Sequence, residues 1–365
     1  MRISIPHIPP DILAASASNP PLLSTLTVAA QRVADFLDSG NVAVLTGAGV
    51  SVDSGIRAYR GKDGRYMNPN YKPIFYSDLV EDSPRGFSFR QRYWCRSYLG
   101  YPPIAKARPN PTHYALSAFM HSGHISRLVT QNVDGLHHKA RPSYWTDKYA
   151  ASKILELHGT LHTVHCRRGH LTRRDLFQNK LSIANPRWKA FMDEVEVSGQ
   201  RLRTNPDGDV ELENASWDDF VIPDCEDCSK EGTPDPVLKP SVIFFGESVP
   251  AVVKERSFEH VEACDRLLII GTTTATYSAF RLLKHAIELR KPVMLLNVGP
   301  TRADSLIGKG VEKVEWHSGE VLHTAARAML GPRISEDREL QRLLTSGIVT
   351  PIDGTFDDHA PRAGS

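Results

Sequence analysis

Apolar residues recur at helical spacing at the start of the readable pattern: Leu26, Ala29, Ala30, Val33, Phe36 and Leu37 fall on one face, and Gly40 supplies a stop. Residues 42–45 follow as a short run with no polar position, the mark of a strand buried on both faces. Further short apolar runs lie at 128–130, 154–157, 242–245, 267–270 and 293–296. Helical patterns sit between several of them, at 112–120 and 277–289. Strands alternating with helices predict an α/β fold, a mostly parallel sheet with helices on both faces. Ligands of such sheets bind outside the carboxyl ends of the strands.

Two stretches break this rhythm. Residues 60–107 are rich in Tyr, Arg and Pro and read as a helical lobe with a mobile lid. Residues 161–239 carry Cys166, His170, Cys225 and Cys228 around a polar middle, Asn205-Pro-Asp-Gly208, and read as an inserted small module. The expected organisation is a main domain from 26–160 and 240–330, with the small module between. A flexible segment, 1–25, precedes it; Pro6, Pro9, Pro10, Pro20 and Pro21 forbid one continuous helix there. The tail, 331–365, is charged and then rich in Gly, Pro and Asp, and is expected to be loosely ordered.

With 365 residues the chain can bury a large core. Charged residues make up 24% and the net charge is +2, which gives no sign of direct nucleic-acid binding. No apolar run approaches the roughly 18 residues of a membrane span. Cys95 and Cys264 stand alone and read as buried thiols, whereas Cys225-x-x-Cys228 reads as metal or redox chemistry. The N-terminus holds one acid, Asp11, with Ser and Ala but little Arg, a weak likeness to a transit peptide. A mitochondrial matrix address is therefore set ahead of nucleus or cytoplasm, and a monomer is expected.

The chemistry gathers at three strand ends. The run 42–46 stops at Gly47-Ala48-Gly49, where glycines permit tight turning and close approach to a pyrophosphate. The ordinary dinucleotide fingerprint wants a third glycine at Val52, and the next is Gly55; no acidic ribose ligand stands about 20 residues on, and no Gly-Lys-Ser/Thr follows. The second motif is Leu128-Val-Thr-Gln-Asn-Val-Asp-Gly-Leu-His-His138, and the third Ile154-Leu-Glu-Leu-His-Gly159. Together and in this order, over roughly residues 26–328, they resemble the sirtuin family of NAD-dependent protein deacylases.

The resemblance implies a Rossmann-like fold with a zinc module, acylated-lysine protein substrates, and acyl transfer to NAD with release of nicotinamide. His158 matches the catalytic base, and an imidazole suits a base working near neutral pH. Asn132 is the second residue assigned to catalysis, and Gln131, Asn132 and Asp134 match the positions around the nicotinamide ribose. Gly47, Ala48 and Gly49 match the pyrophosphate cradle; Ser51, Asp53, Ser54, Gly55 and Ile56 belong to the same loop, and Tyr59 and Arg60 close over it. Gly271, Thr272 and Thr273 match a second phosphate and ribose contact, although a Thr-rich strand-to-helix turn is also an ordinary helix start. Asn297, Val298 and Gly299 match the adenosine ribose contact, and Ser318 aligns loosely with the adenine pocket. Val242, Phe244, Phe245 and Gly246 lie in the stretch that resembles the substrate-pairing strand; by composition alone it is equally an ordinary core strand.

The family's structural zinc uses two Cys-x-x-Cys pairs. Here the first reads Cys166-Arg-Arg-Gly169-His170, so Cys166, His170, Cys225 and Cys228 are the expected ligands, a set that tetrahedral zinc accepts. Other histidines (His121, His162, His285) receive no role. The chain also departs from the family at Gly-Ile-Arg57-Ala58, where Pro-Asp is usual. Protein ADP-ribosyl transfer and an NAD-sensing scaffold therefore stand as alternatives, and hydride transfer is disfavoured by the glycine spacing. The segment 205–210 and the Tyr-Arg of the lid resemble the class II, mitochondrial sirtuin-four-like branch, associated with bulkier acyl groups. No Tyr-x-x-Arg pair, the grip for dicarboxylic acyl groups, occurs in 60–76.

Overall fold

The computed structural model describes residues 7–13, 25–60, 64, 66, 71, 73–199, 202–212, 216–235 and 237–347. Its strands are β1 (Val42–Thr46), β2 (Ile125–Thr130), β3 (Ile154–Glu156), β4 (Gly159–Cys166), β5 (Leu171–Arg173), β6 (Leu238–Val242), β7 (Arg266–Ile270), β8 (Val293–Leu296) and β9 (Val311–Val314). Six of them form a parallel sheet in the order β3-β2-β1-β7-β8-β9. The order reverses between β1 and β7, and a crevice for ligand opens at such a switch. The other three form an antiparallel sheet, β5-β4-β6.

The longer helices are α1 (Leu26–Asp38), α2 (Pro84–Lys106), α3 (Pro111–Ser122), α4 (Arg174–Ala184), α5 (Pro186–Ser198), α6 (Ala251–Glu262), α7 (Tyr277–Glu288), α8 (Ser318–Ile334) and α9 (Arg338–Thr345). The stripe read from the sequence buries α1 through Ala29, Ala30, Val33, Phe36 and Leu37. Alternation then divides β1: Val42 and Val44 face the core shared by α1, α3, α8 and α9, while Ala43 and Leu45 face the core under α6 and α7. An unbroken apolar run is what two covered faces require.

A third core joins the two interruptions into one lobe. Tyr93, Trp94, Tyr98 and Leu99 of α2 pack with Val164 and Cys166 of β4, Phe177 of α4, Phe220 and Cys228. The Trp94 indole donates to the Leu238 carbonyl at 3.0 Å. Arg96 pairs with the buried Asp209 at 2.8 Å, tying α2 to the 205–210 turn.

Several expectations change. The run 242–245 is not a strand of the parallel sheet: β6 ends at Val242 and pairs antiparallel with β4, and Phe245 makes only an isolated bridge to Phe75. The second sheet thus crosses both expected edges of the 161–239 module. The tail is not loose as far as it is described. Asp337 caps α9 by accepting from the amides of Glu339 and Leu340, and Leu340, Leu343 and Leu344 are buried in the main core. The charged residues that suggested a loose tail occupy the outer face of an amphipathic helix. The remainder of the tail, from 348, lies outside the described residues. Within the expected flexible start, residues 7–13 pack down and bury Ile8 and Ile12; residues 1–6 and 14–24 lie outside the described residues.

Leu343→Ala is expected to destabilise the fold by about 2–4 kcal/mol, as a buried leucine truncation does. A chemical-denaturation midpoint unchanged from wild type would show instead that the tail helix does not contribute.

Candidate active site and metal centre

The loop after β1 turns as a 3-10 helix, Ala48–Ser54, closed by Gly55 at φ 80°. It lies against the loop after β7. A Cβ on Gly49 would come within 2.7 Å of the Gly271 carbonyl oxygen, and one on Gly47 within 2.6 Å of the Thr272 Cβ. The glycines are thus required by loop-on-loop contact, a reason that the spacing alone did not reveal. Asn110, at the N-cap of α3, ties the turn down by donating to the Val50 carbonyl at 2.8 Å and the Ser54 hydroxyl at 3.0 Å.

The second motif is stitched into the same place. The Gln131 amide donates to Thr272 Oγ1 at 3.0 Å and accepts from Thr276 Oγ1 at 2.8 Å. The Asn132 amide donates to the Gly47 carbonyl and to Ser51 Oγ, both at 3.1 Å. Ser51 in turn donates to Asp134 Oδ2 at 2.7 Å, and Asp134 Oδ1 accepts from the Leu136 amide. His162, which received no role from the sequence, donates from Nε2 to the Asp134 carbonyl at 2.8 Å. Thr274, buried in the loop after β7, takes φ 51°, a strained choice for a β-branched residue.

These loops meet around one cavity of about 1670 Å³. Gly47, Ala48, Gly49, Tyr59, Arg60, Gln131, Asn132, His158, Gly271, Thr272, Thr273, Asn297, Val298 and Gly299 all line it. The His158 Nε2 lies 2.8 Å from Ser278 Oγ on α7. Ser51, Ile56 and Asp134 line a small niche beside the cavity together with Ala48, Asn132 and Pro206. Asp53, Gly55 and Ser318 do not reach either wall. Asp53 faces Gly319 at the start of α8, and Ser318 pairs with Thr112 at 2.9 Å. Ser54 is held by Asn110. The far end is braced by Lys313, which donates to the Gly299 carbonyl and bridges to Asp304 and Glu315.

Val242, Phe244, Phe245 and Gly246 form another wall. Immediately after His158, Gly159 adopts φ 76° where its Cβ would sit 1.9 Å from the Ser241 carbonyl oxygen, so β4 and β6 close tightly there. The Ile243 amide donates to the His158 carbonyl at 2.9 Å. Buried Lys239 donates to the Val242 carbonyl and lies 3.2 Å from Glu247, whose carboxylate accepts from the Phe244 amide. Tyr71, Ile74, Val133 and Leu157 add apolar surface, and His7, Ile8, Pro10 and Leu13 of the N-terminal segment complete the mouth.

The electrostatics separate neutral from charged groups. The His113 and His137 rings lie tilted with centroids 4.7 Å apart beneath the site; burial lowers His113 to about 4 and holds His137 well below the usual imidazole value, so both are neutral at pH 7. His137 Nε2 meets Thr46 Oγ1 at 2.9 Å. Burial pushes the Glu156 carboxyl up to about 8, helped by the Asp134 charge and opposed by a Thr160 hydrogen bond.

The metal centre lies in the second lobe. Cys166, His170, Cys225 and Cys228 offer ligand atoms all within 4.8 Å of one another. Cys166 Sγ and Cys228 Sγ are 3.7 Å apart, and His170 Nδ1 is 3.3 Å from Cys228 Sγ and 3.7 Å from Cys225 Sγ. A tetrahedral ion with bonds of roughly 2.3 Å to sulfur and 2.0 Å to nitrogen sets its ligands about 3.5–3.8 Å apart, so the donors fit one structural zinc. His170 Nε2 sits 3.3 Å from Glu231, a carboxylate that orients the ring and was not foreseen.

The Sir2 family matches the chain over residues 47–278. The chain is 40% identical over 294 residues to the NAD-dependent protein deacylase SIR4 of Batrachochytrium dendrobatidis, spanning 78% of this chain and 90% of that protein. It is 37% identical over 286 residues to the NAD-dependent protein lipoamidase sirtuin-4, mitochondrial, of Bos taurus, spanning 78% and 81%. A solved Sir2 complex with p53 peptide and NAD+ has the same fold, with a TM-score of 0.56 at 22% identity over 83% of this chain and 97% of that one.

Stripping metal with a chelator is expected to lower Tm by at least about 10 °C, and metal analysis should find one zinc per chain. An unchanged Tm with no zinc would remove the metal assignment. For Glu156, the folded chain keeps a proton that the unfolded chain releases above about 4.5. Wild type should therefore lose stability relative to Glu156→Gln as pH rises from about 4.5 to about 8. Parallel stability curves for the two proteins across that window would contradict this.

Proposed function

The chain belongs to the Sir2 family, and on that premise we propose that this NAD-dependent protein deacylase prefers bulky, neutral acyl groups on lysine. The apolar end of the cavity, set apart from the loops assigned to the dinucleotide, supports this reading. The wall of Tyr71, Ile74, Val133, Leu157, Val242, Phe244 and Phe245 offers an acyl chain apolar contact. The bovine relative is named a lipoamidase, which fits a long, uncharged acyl group.

NAD, when bound, would supply an electrophilic ribose carbon and a nicotinamide leaving group for the acyl transfer. Gly47, Ala48 and Gly49 present backbone to the pyrophosphate, and Asn297, Val298 and Gly299 to the far ribose. Gln131, Asn132 and Asp134 would hold the near ribose. The backbone of 242–246 pairs with the extended substrate peptide, the mode by which a strand is added to a sheet edge. His158 removes a proton from a ribose hydroxyl, and the apolar wall keeps water from the reacting centre. Cys166, His170, Cys225 and Cys228 hold zinc away from the reaction, where it fixes the lobe that carries one wall.

The mitochondrial matrix is the proposed place of work, supported by the bovine relative's name and by the acid-poor start of the chain. The protein acts there as a monomer on acylated proteins, without nucleic acid.

A panel of acyl-lysine peptides with NAD, followed by mass spectrometry for nicotinamide and acyl-ADP-ribose, tests the reading. Octanoyl- and lipoyl-lysine are expected to exceed acetyl-lysine by about tenfold or more in kcat/KM, with succinyl-lysine no better than acetyl; a clear preference for acetyl or succinyl would overturn it. His158→Ala should lose roughly a thousandfold in kcat while still binding NAD. Turnover close to wild type would remove His158 from its role.

A further inference from the structure

We infer that Ser278 is a positioning residue for the base: its hydroxyl fixes the imidazole of His158 and accepts from the Nε2–H of the imidazolium formed during turnover. The inference rests on the reading of His158 as the base. Its observation is the 2.8 Å contact between His158 Nε2 and Ser278 Oγ, with both residues lining the cavity. The partners are 120 residues apart in the chain, so no local pattern connects them.

The placement of Ser278 is rigid. It lies in the first turn of α7, directly after Tyr277, and the N-cap Thr276 is locked to Gln131 at 2.8 Å. Gln131 in turn donates to Thr272 and to the Thr46 carbonyl. The hydroxyl that meets the base is thus carried on the same framework that carries the dinucleotide loops. On the other side, the His158 carbonyl is held by the Ile243 amide. The imidazole hangs from one lobe boundary and is steered by a helix start bolted to the other.

A serine hydroxyl both donates and accepts, so it serves either neutral tautomer. When the ring takes a proton from a ribose hydroxyl, whose oxygen keeps the electron pair, Nε2 carries hydrogen whichever nitrogen received it. Ser278 Oγ then accepts a charge-assisted hydrogen bond, stronger than the neutral one it replaces. The contact therefore favours the protonated base more than the resting one, which is a contribution to kcat rather than to binding.

The test compares Ser278→Thr with Ser278→Val, which match in bulk and differ by the hydroxyl, alongside Ser278→Ala and His158→Ala. Val and Ala are expected to lower kcat about tenfold, with KM for NAD within about twofold, and Thr to stay within about threefold of wild type. ¹⁵N spectra of labelled histidine should leave the His158 ring signals of Thr close to those of wild type and shift those of Val, where the ring loses its hydroxyl partner. Equal kcat for Thr and Val, or an unchanged His158 spectrum in Val, overturns the proposal. Full turnover by His158→Ala would instead overturn the assignment of the base, a separate outcome.

Discussion

The close contact of two loops at neighbouring strand ends governs the cleft. β1 and β7 lie side by side at the point where the sheet order reverses, and their loops touch through Gly47, Gly49 and Gly271 with no space for a Cβ. That approach brings Thr272 under Gln131 and the Gly47 carbonyl under Asn132. A side chain at either glycine would push the loops apart and break these polar contacts. The hydrogen bonds of Gln131 to Thr272 and Thr276, and those linking Asn132, Ser51 and Asp134, then stiffen a floor that presents backbone to the cavity.

The second lobe is built on a different principle. Its core is aromatic, with Trp94 against Phe177 at 4.8 Å and Tyr98 against Phe220 at 6.0 Å, and it is closed at one end by the three thiols and His170. A small core of this kind gains from a metal clamp, because burial alone leaves little margin in a lobe of this size. The lobe's sheet ends in the segment that forms the apolar wall. Metal and substrate recognition are therefore linked through β6 without touching.

The catalytic loops were readable because each is a local pattern: an apolar run ending in glycines, amides or a histidine. The family resemblance also exposed the departure at Arg57-Ala58. What escaped depends on long-range partners. Asn110 reaches Val50 across 60 residues, and Ser278 reaches His158 across 120. β9 was missed because Val-Glu-Lys-Val carries too few apolar positions to stand out, its buried residues being only Val311 and Val314. α9 was hidden by its charged face. Asp53 takes its ligand assignment from its place in the motif, but the tight 3-10 turn aims it at Gly319 of α8; Ser318 takes its from a loose family alignment, and its hydroxyl pairs with Thr112 of α3.

Gly159 carries a consequence of its own. It is the hinge pin between the base and the wall, and even one methyl group there would collide with the β6 backbone. The nucleotide half, whose strands pair elsewhere, would keep its shape while the wall swung away from the imidazole. A single-codon lesion at this position would thus produce a protein that still captures its dinucleotide but leaves it unused, and such an occupied, idle copy would compete with working ones for a limited pool.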